Sequence, residues 1–176
     1  MSTAPRPELD EATLRFVREV FQAARTGDVD TLAPLLDQGL PANLRNEHGD
    51  SLLMLAAYHG HHDAARLLLR YGGDPGLAND RQQLPLAGAA FRGDAEMVRL
   101  LLEHGAAVDG CGEDGRTALM MAAMFDRVEV LALLLAHGAD PNRQDAAGLT
   151  ALEAARKMGA EATTAALLKA GDEGAP

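Results

Sequence analysis

Between Asp114 and Asn142 the apolar and polar positions follow the spacing of two short helices set back to back. Thr117-Ala118-Leu119-Met120 opens the first helix, Leu133-Leu134-Leu135 marks the second, and glycine-containing turns bound the pair. The pattern recurs on both sides. Gly115-Arg116-Thr117-Ala118-Leu119 lies over Gly49-Asp50-Ser51-Leu52-Leu53 and over Gly148-Leu149-Thr150-Ala151-Leu152, with Gln82-Gln83-Leu84-Pro85-Leu86 between them. These segments begin at 49, 82, 115 and 148, a period of 33 residues. A fixed period in this range marks a stack of helical units, each needing its neighbours to bury its apolar face.

The same plan predicts the helix ends. Ser51, Thr117 and Thr150 stand where a side-chain oxygen accepts from an unpaired amide of the first turn. Leu84 breaks this rule, but Pro85 suits a first helical turn. The small pair Ala56-Ala57 recurs as Ala89-Ala90 and Ala122-Ala123, so neighbouring backbones are expected to approach closely. Gly60, Gly93 and Gly159 are placed for left-handed C-caps. Asp126 takes that place in the fourth unit, at an expected cost of about 1 kcal/mol. The second helices carry Leu67-Leu68-Leu69, Leu100-Leu101-Leu102 and Leu133-Leu134-Leu135, and end at Gly72, Gly105 and Gly138. In the first unit, an extended helix from about Asp10 replaces the opening turn, and a second helix runs from about Val29 to Gln38. Units are expected over 10–45, 46–78, 79–111, 112–144 and 145–171, with the last helix stopping at Gly171. Disordered tails are expected over 1–9 and 172–176.

GRTALMMAA and LLLAHGADPN, repeated in register, resemble the ankyrin repeat, and the resemblance covers about Leu14 to Gly171. The family's TPLH tetrapeptide appears as SLLM, LPLA, TALM and TALE, without its histidine. The resemblance implies an all-α solenoid of five helix-turn-helix units joined by short β-hairpin-like turns. It also implies a non-catalytic protein–protein interaction module whose concave face is lined by turn tips and by the exposed ends of the first helices. Mapped by register, that face comprises Glu47, His48, Asp50, Asp80, Arg81, Gln83, Glu113, Asp114 and Arg116 on the turns. On the helices it comprises Tyr58, His59, Phe91, Arg92, Met124 and Phe125. The chain has two Tyr, four Phe and no Trp, so three aromatics at successive repeats form a notable row. Such a row is a candidate interface anchor. The acidic turns around it point to a protein partner with basic rim residues.

Composition narrows the alternatives. A formal net charge of −10 speaks against non-specific nucleic-acid binding, which rests on neutralising phosphates, and against anionic membranes. A single cysteine, Cys111, rules out an intrachain disulfide. The first residues lack a secretory apolar core and no apolar run has spanning length, so a cytoplasmic location is expected. All but Lys157 and Lys169 of the 16 basic residues are arginine, which fits a GC-rich, bacterial coding source.

Three features invite chemical readings. Gly110-Cys111-Gly112-Glu113-Asp114-Gly115 spells G-x-G-x-x-G, but it straddles two repeats and follows a turn, not a buried strand. His59, His61 and His62 cluster, yet no cysteine or carboxylate set completes a zinc site. Cys111 sits beside Glu113 and Asp114, which disfavour its thiolate. No cofactor, metal or catalytic residue is therefore assigned. The rival functional reading is a regulatory or accessory enzyme subunit that binds a small ligand or metal through the histidines. Polar terminal units make a monomer the expected state.

Overall fold

The computed structural model describes residues 10–173, and the expected N-terminal tail lies outside the described residues. Among the described residues the chain forms ten helices in five pairs. The first helices are α1 (Glu11–Thr26), α3 (Leu52–His59), α5 (Pro85–Arg92), α7 (Ala118–Met124) and α9 (Ala151–Met158). The second helices are α2 (Val29–Asp37), α4 (His62–Arg70), α6 (Ala95–Glu103), α8 (Val128–Ala136) and α10 (Glu161–Glu173). Each first helix packs on the first helix of the next pair, and each second helix on the next second helix. The result is a two-layered stack.

The layers form because the helices from α2 to α9, of seven to nine residues, are too short to be stable alone and carry faces that demand cover. Ala56, Ala57, Ala89, Ala90, Ala122 and Ala123 are all at 0% exposure, so the first helices meet almost backbone to backbone. The larger side chains Leu32, Leu68, Leu101, Leu131 and Leu134 fill the space between the layers. α3, in the second pair, is enclosed from Leu52 to Ala57.

The helix ends obey local chemistry. Ser51, Thr117 and Thr150 accept from the backbone amides of Met54, Met120 and Glu153. Thr150 and Glu153 form a reciprocal capping box. Leu84 makes no side-chain cap, and Pro85 opens α5. Gly60, Gly93 and Gly159 are left-handed with φ of 78, 77 and 70°, and Asp126 joins them at 57°.

Gly171 does not end the last helix. It lacks the positive φ of Gly72, Gly105 and Gly138 (83, 89 and 84°), so helical bonding continues and α10 runs to Glu173. Residues 172–173 are therefore helical, and 174–176 lie outside the described residues.

Between pairs, isolated antiparallel bridges join Arg45 to Ser51 and Cys111 to Thr117, giving the turns their hairpin form.

Candidate functional site

The turn tips are held by one recurring device. Asn46, Asn79 and Asp145 occupy the same repeat position, and each Oδ1 accepts two backbone amides, two and four residues on. Short polar side chains favour such turns because they replace backbone partners locally. In the fourth unit Gly112 takes this position. A Cβ there would lie 2.2 Å from the carbonyl oxygen of Gln82, so only glycine lets the two turns approach. This contact accounts for the second glycine of G-x-G-x-x-G.

Neighbouring turns are then stitched together. Asn79 Nδ2 donates to Asp50 Oδ1 at 2.8 Å and to Gln83 Oε1 at 3.0 Å. Arg45 donates to the Ala78 carbonyl at 3.0 Å and pairs with Asp80 at 3.2 Å. The amide of Asp80 donates to the His48 carbonyl, and that of Ala146 to the Asp114 carbonyl. Sequence reasoning missed Asn79, which is buried at 6% exposure. The Asx residue at a period of 33 was its signal.

The residues expected at the binding face divide by environment. Glu47, His48, Asp80, Arg81, Gln83, Glu113, Asp114 and Arg116 are exposed turn residues, and Tyr58, His59 and Arg92 are exposed at helix ends. Asp50 is half-buried and engaged by Asn79. Arg116 Nε lies 3.9 Å from both Asp114 and Asp145.

The aromatic row is not uniformly open. Tyr58 is 45% exposed, whereas Phe91 and Phe125 are half-buried and meet edge to face at 4.5 Å. Phe125 is the C-cap residue of α7, and its ring lies against that of Phe91 in the preceding repeat. Met124 is half-buried as well.

Tyr58, Gln83, Phe91, Asp114 and Arg116 come together around one cavity of about 220 Å³. Met54, Ala87, Gly88, Met121 and Cys111 also line it, and these the sequence reading did not assign to the face. Their signal was available. Ala87-Gly88 stand in register with Met54-Leu55 and Met120-Met121, so the third repeat removes side-chain bulk from the middle of the row.

The histidines are engaged elsewhere. His61 Nε2 lies 2.9 Å from the Arg25 carbonyl, and His62 Nε2 lies 2.9 Å from both Asp94 oxygens. His59 packs against Tyr58 and stacks on His61. Burial, and then the positive charges of His61, Arg25 and Arg92, hold its pKa below the ordinary histidine value. Among the described residues, no group of three or more His, Cys, Asp or Glu converges to hold a metal ion. No helix among them is long and apolar enough to cross a membrane.

Two stacked layers of paired helices, with hydrogen-bonded turns projecting from one side, define a helical-repeat solenoid. A family profile described as ankyrin repeats, in three copies, matches residues 20–110, 68–145 and 109–175. The chain belongs to the ankyrin repeat family. It is also similar to a Pseudomonas aeruginosa protein named as an ankyrin repeat protein, PA3287, with 62% identity over 67 residues. That match covers 38% of this chain and 39% of the relative's length. Repeats of this family are generally protein–protein interaction modules.

Proposed function

We propose that this chain is a non-catalytic binding module that engages a protein partner through its turn tips and the exposed ends of the first helices. The observation that carries the reading is Tyr58, an exposed aromatic at the rim of a preformed apolar cavity on that face. Aromatic anchors beside a pocket are what binding hot spots are built from. The turns around it are already held, one by the Asn79 network and the other by the Cys111–Thr117 bridge and the Asp114 side chain, so little conformational freedom is lost on docking.

The rim favours a basic partner. Five carboxylates (Glu47, Asp50, Asp80, Glu113 and Asp114) stand against the guanidiniums of Arg45, Arg81 and Arg116 on the turns, within a chain of net charge −10. Complementary charge speeds encounter and selects partners. We further propose that the module acts as a monomer in the cytoplasm, and light scattering at several concentrations tests the first part.

The test is comparative capture from a bacterial lysate. The wild-type chain, a Tyr58→Ala/Glu113→Arg variant and an opposite-face control, Arg70→Glu/Glu103→Arg, serve as baits, each first confirmed as folded by circular dichroism. A protein retained by wild type and control but lost with the first variant supports the reading. Equal retention by both variants refutes it. Leaving Phe91 and Phe125 intact matters, because their mutual packing makes them part of the fold.

A further inference from the structure

The cavity beside Tyr58 is built by deletion. Gly88 lies inside α5, where glycine destabilises a helix by about 0.5–1 kcal/mol relative to alanine. Its left-handed freedom is not used there, since its φ is not positive. A Cβ at this position would reach Tyr58 Cδ2 at 3.4 Å, and anything longer would enter the cavity. The equivalent positions hold Leu55, Met121 and Ala154. What Gly88 and Ala87 supply is empty space, lined by Met54 and Tyr58 of α3, Phe91 of α5 itself and Met121 of α7.

A second irregularity sits on the same rim. Gln82 has φ of 60°, at the position where the other three turns use Gly49, Gly115 and Gly148. Its side chain is exposed and makes no hydrogen bond among the described residues, so a residue lining the cavity carries a free carboxamide in a backbone conformation that favours glycine. Strain of this kind collects where a side chain is needed for recognition.

The volume and the chemistry select the occupant. About 220 Å³ falls short of the roughly 300–1,000 Å³ of clefts that enclose drug-sized ligands. Thioether, aromatic and aliphatic groups share the lining with the polar side chains of Gln83, Asp114 and Arg116, which suits one flexible apolar side chain with a polar neighbour. Asp114, which lines the pocket, is shared with Arg116, whereas the neighbouring exposed Glu113 forms no ion pair among the described residues. Asp80 is already paired with Arg45. Among the described residues Glu113 is the carboxylate left without an ion pair beside the pocket, on the Asp114 side, and Arg81 is the guanidinium left so on the Gln82 side.

We propose that this pocket binds a segment of the partner protein that inserts a leucine or methionine side chain over Gly88, next to a lysine or arginine facing Glu113. The Gln82 carboxamide then hydrogen-bonds the backbone of that segment. The proposal rests on the protein-binding reading above and specifies what the partner presents.

The test is a random peptide library displayed on phage and selected against the full chain. Enriched peptides should share Leu or Met next to Lys or Arg. Synthetic versions should lose about tenfold or more in affinity on Gly88→Met, which fills the cavity. Two further readouts separate loss of the pocket from loss of the fold. Gly88→Met should melt no lower than wild type, because Met121 occupies the equivalent place. Gln82→Gly should melt higher than wild type and still bind more weakly. Enrichment of acidic or wholly polar peptides, unchanged affinity on Gly88→Met, or no enrichment at all overturns the proposal. Those outcomes leave the wider binding face to be judged by the capture experiment, whose variants spare Gly88 and Gln82.

Discussion

Asp126→Gly separates two opposed effects at one residue. By pattern alone the substitution should stabilise the protein, because Gly60, Gly93 and Gly159 fill the same place and Asp126 adopts their left-handed conformation at φ 57°. Relief of that conformation is worth about 1 kcal/mol. The side chain, however, reaches across to the next repeat. Asp126 Oδ1 accepts the backbone amide of Thr163 at 2.8 Å and lies 3.1 Å from its hydroxyl. That hydroxyl donates to the Ala123 carbonyl at 2.7 Å, and Thr163 is at 0% exposure. The N-terminus of α10 follows Ala160, which offers no side chain to cap it, so the preceding repeat supplies the cap.

Removing a charged acceptor from a buried amide costs about 1.5–3 kcal/mol. Asp126 is itself exposed, and water offers partial replacement, so we take about 1.5–2.5 kcal/mol. Subtracting the strain relief leaves Asp126→Gly destabilised by about 0.5–1.5 kcal/mol, a fall in Tm of about 1–6 °C. Asp126→Ala keeps the strain and loses the cap, so it should fall by the full 1.5–2.5 kcal/mol or so. Asp126→Asn keeps both the acceptor and the tolerance for positive φ, and should stay within about 0.5 kcal/mol of wild type. Urea unfolding followed by circular dichroism ranks the three, and hydrogen exchange at the Thr163 amide locates the loss. An Asp126→Gly protein as stable as wild type, or more so, would refute the reasoning.

Gln82→Gly should raise stability by about 0.5–1 kcal/mol, because this left-handed residue has no compensating hydrogen bond, and differential scanning fluorimetry reads the gain. Gly112→Ala should lower it by about 1–3 kcal/mol, since its Cβ would meet the Gln82 carbonyl at 2.2 Å, and chemical denaturation measures the loss. Acid should weaken the fold through its helix caps. Hydrogen bonds from Thr13 to Asp10, from Thr31 to Asp28 and from Thr150 to Glu153 hold these carboxyls below the ordinary carboxylate range. A group whose folded pKa is depressed contributes stability above its unfolded value and loses it as pH falls through the folded one. Denaturation midpoints should therefore be flat above pH ~5 and decline below about pH 4. A midpoint unchanged at pH ~3 would show that the caps do not contribute.

The architecture was legible in the sequence because each repeat satisfies the same local rules. Ser51, Thr117 and Thr150 mark helix starts, the Ala-Ala pairs mark close contact, and glycines mark the exits. What could not be read was any interaction that skips a repeat's own boundary. Asp126 looked like a defective cap because its partner, Thr163, lies 37 residues away. Phe125 looked like part of an open row because the ring it packs against, Phe91, lies in the preceding repeat. The cavity had a signal in Ala87-Gly88, but a small pair amid alanine-rich helices reads as packing until its neighbours Met54, Tyr58 and Met121 are placed around it.

Departures from the repeat plan thus divide by what compensates them. Asp126 breaks the glycine rule and is offset by a buried inter-repeat hydrogen bond, so its deviation belongs to the fold. Gly112 breaks the Asx rule and is offset by the close passage of the Gln82 backbone, so it too belongs to the fold. Gln82 and Gly88 have no comparable counterweight among the described residues: one keeps strain and an unbonded side-chain carboxamide, the other keeps a weakened helix and a void. Both lie on the same cavity, on the face that carries Tyr58. In a solenoid whose other positions are locally consistent, destabilising choices without an internal counterweight point to an external one. That asymmetry is the physical ground for placing recognition at the third repeat, not evenly along the row.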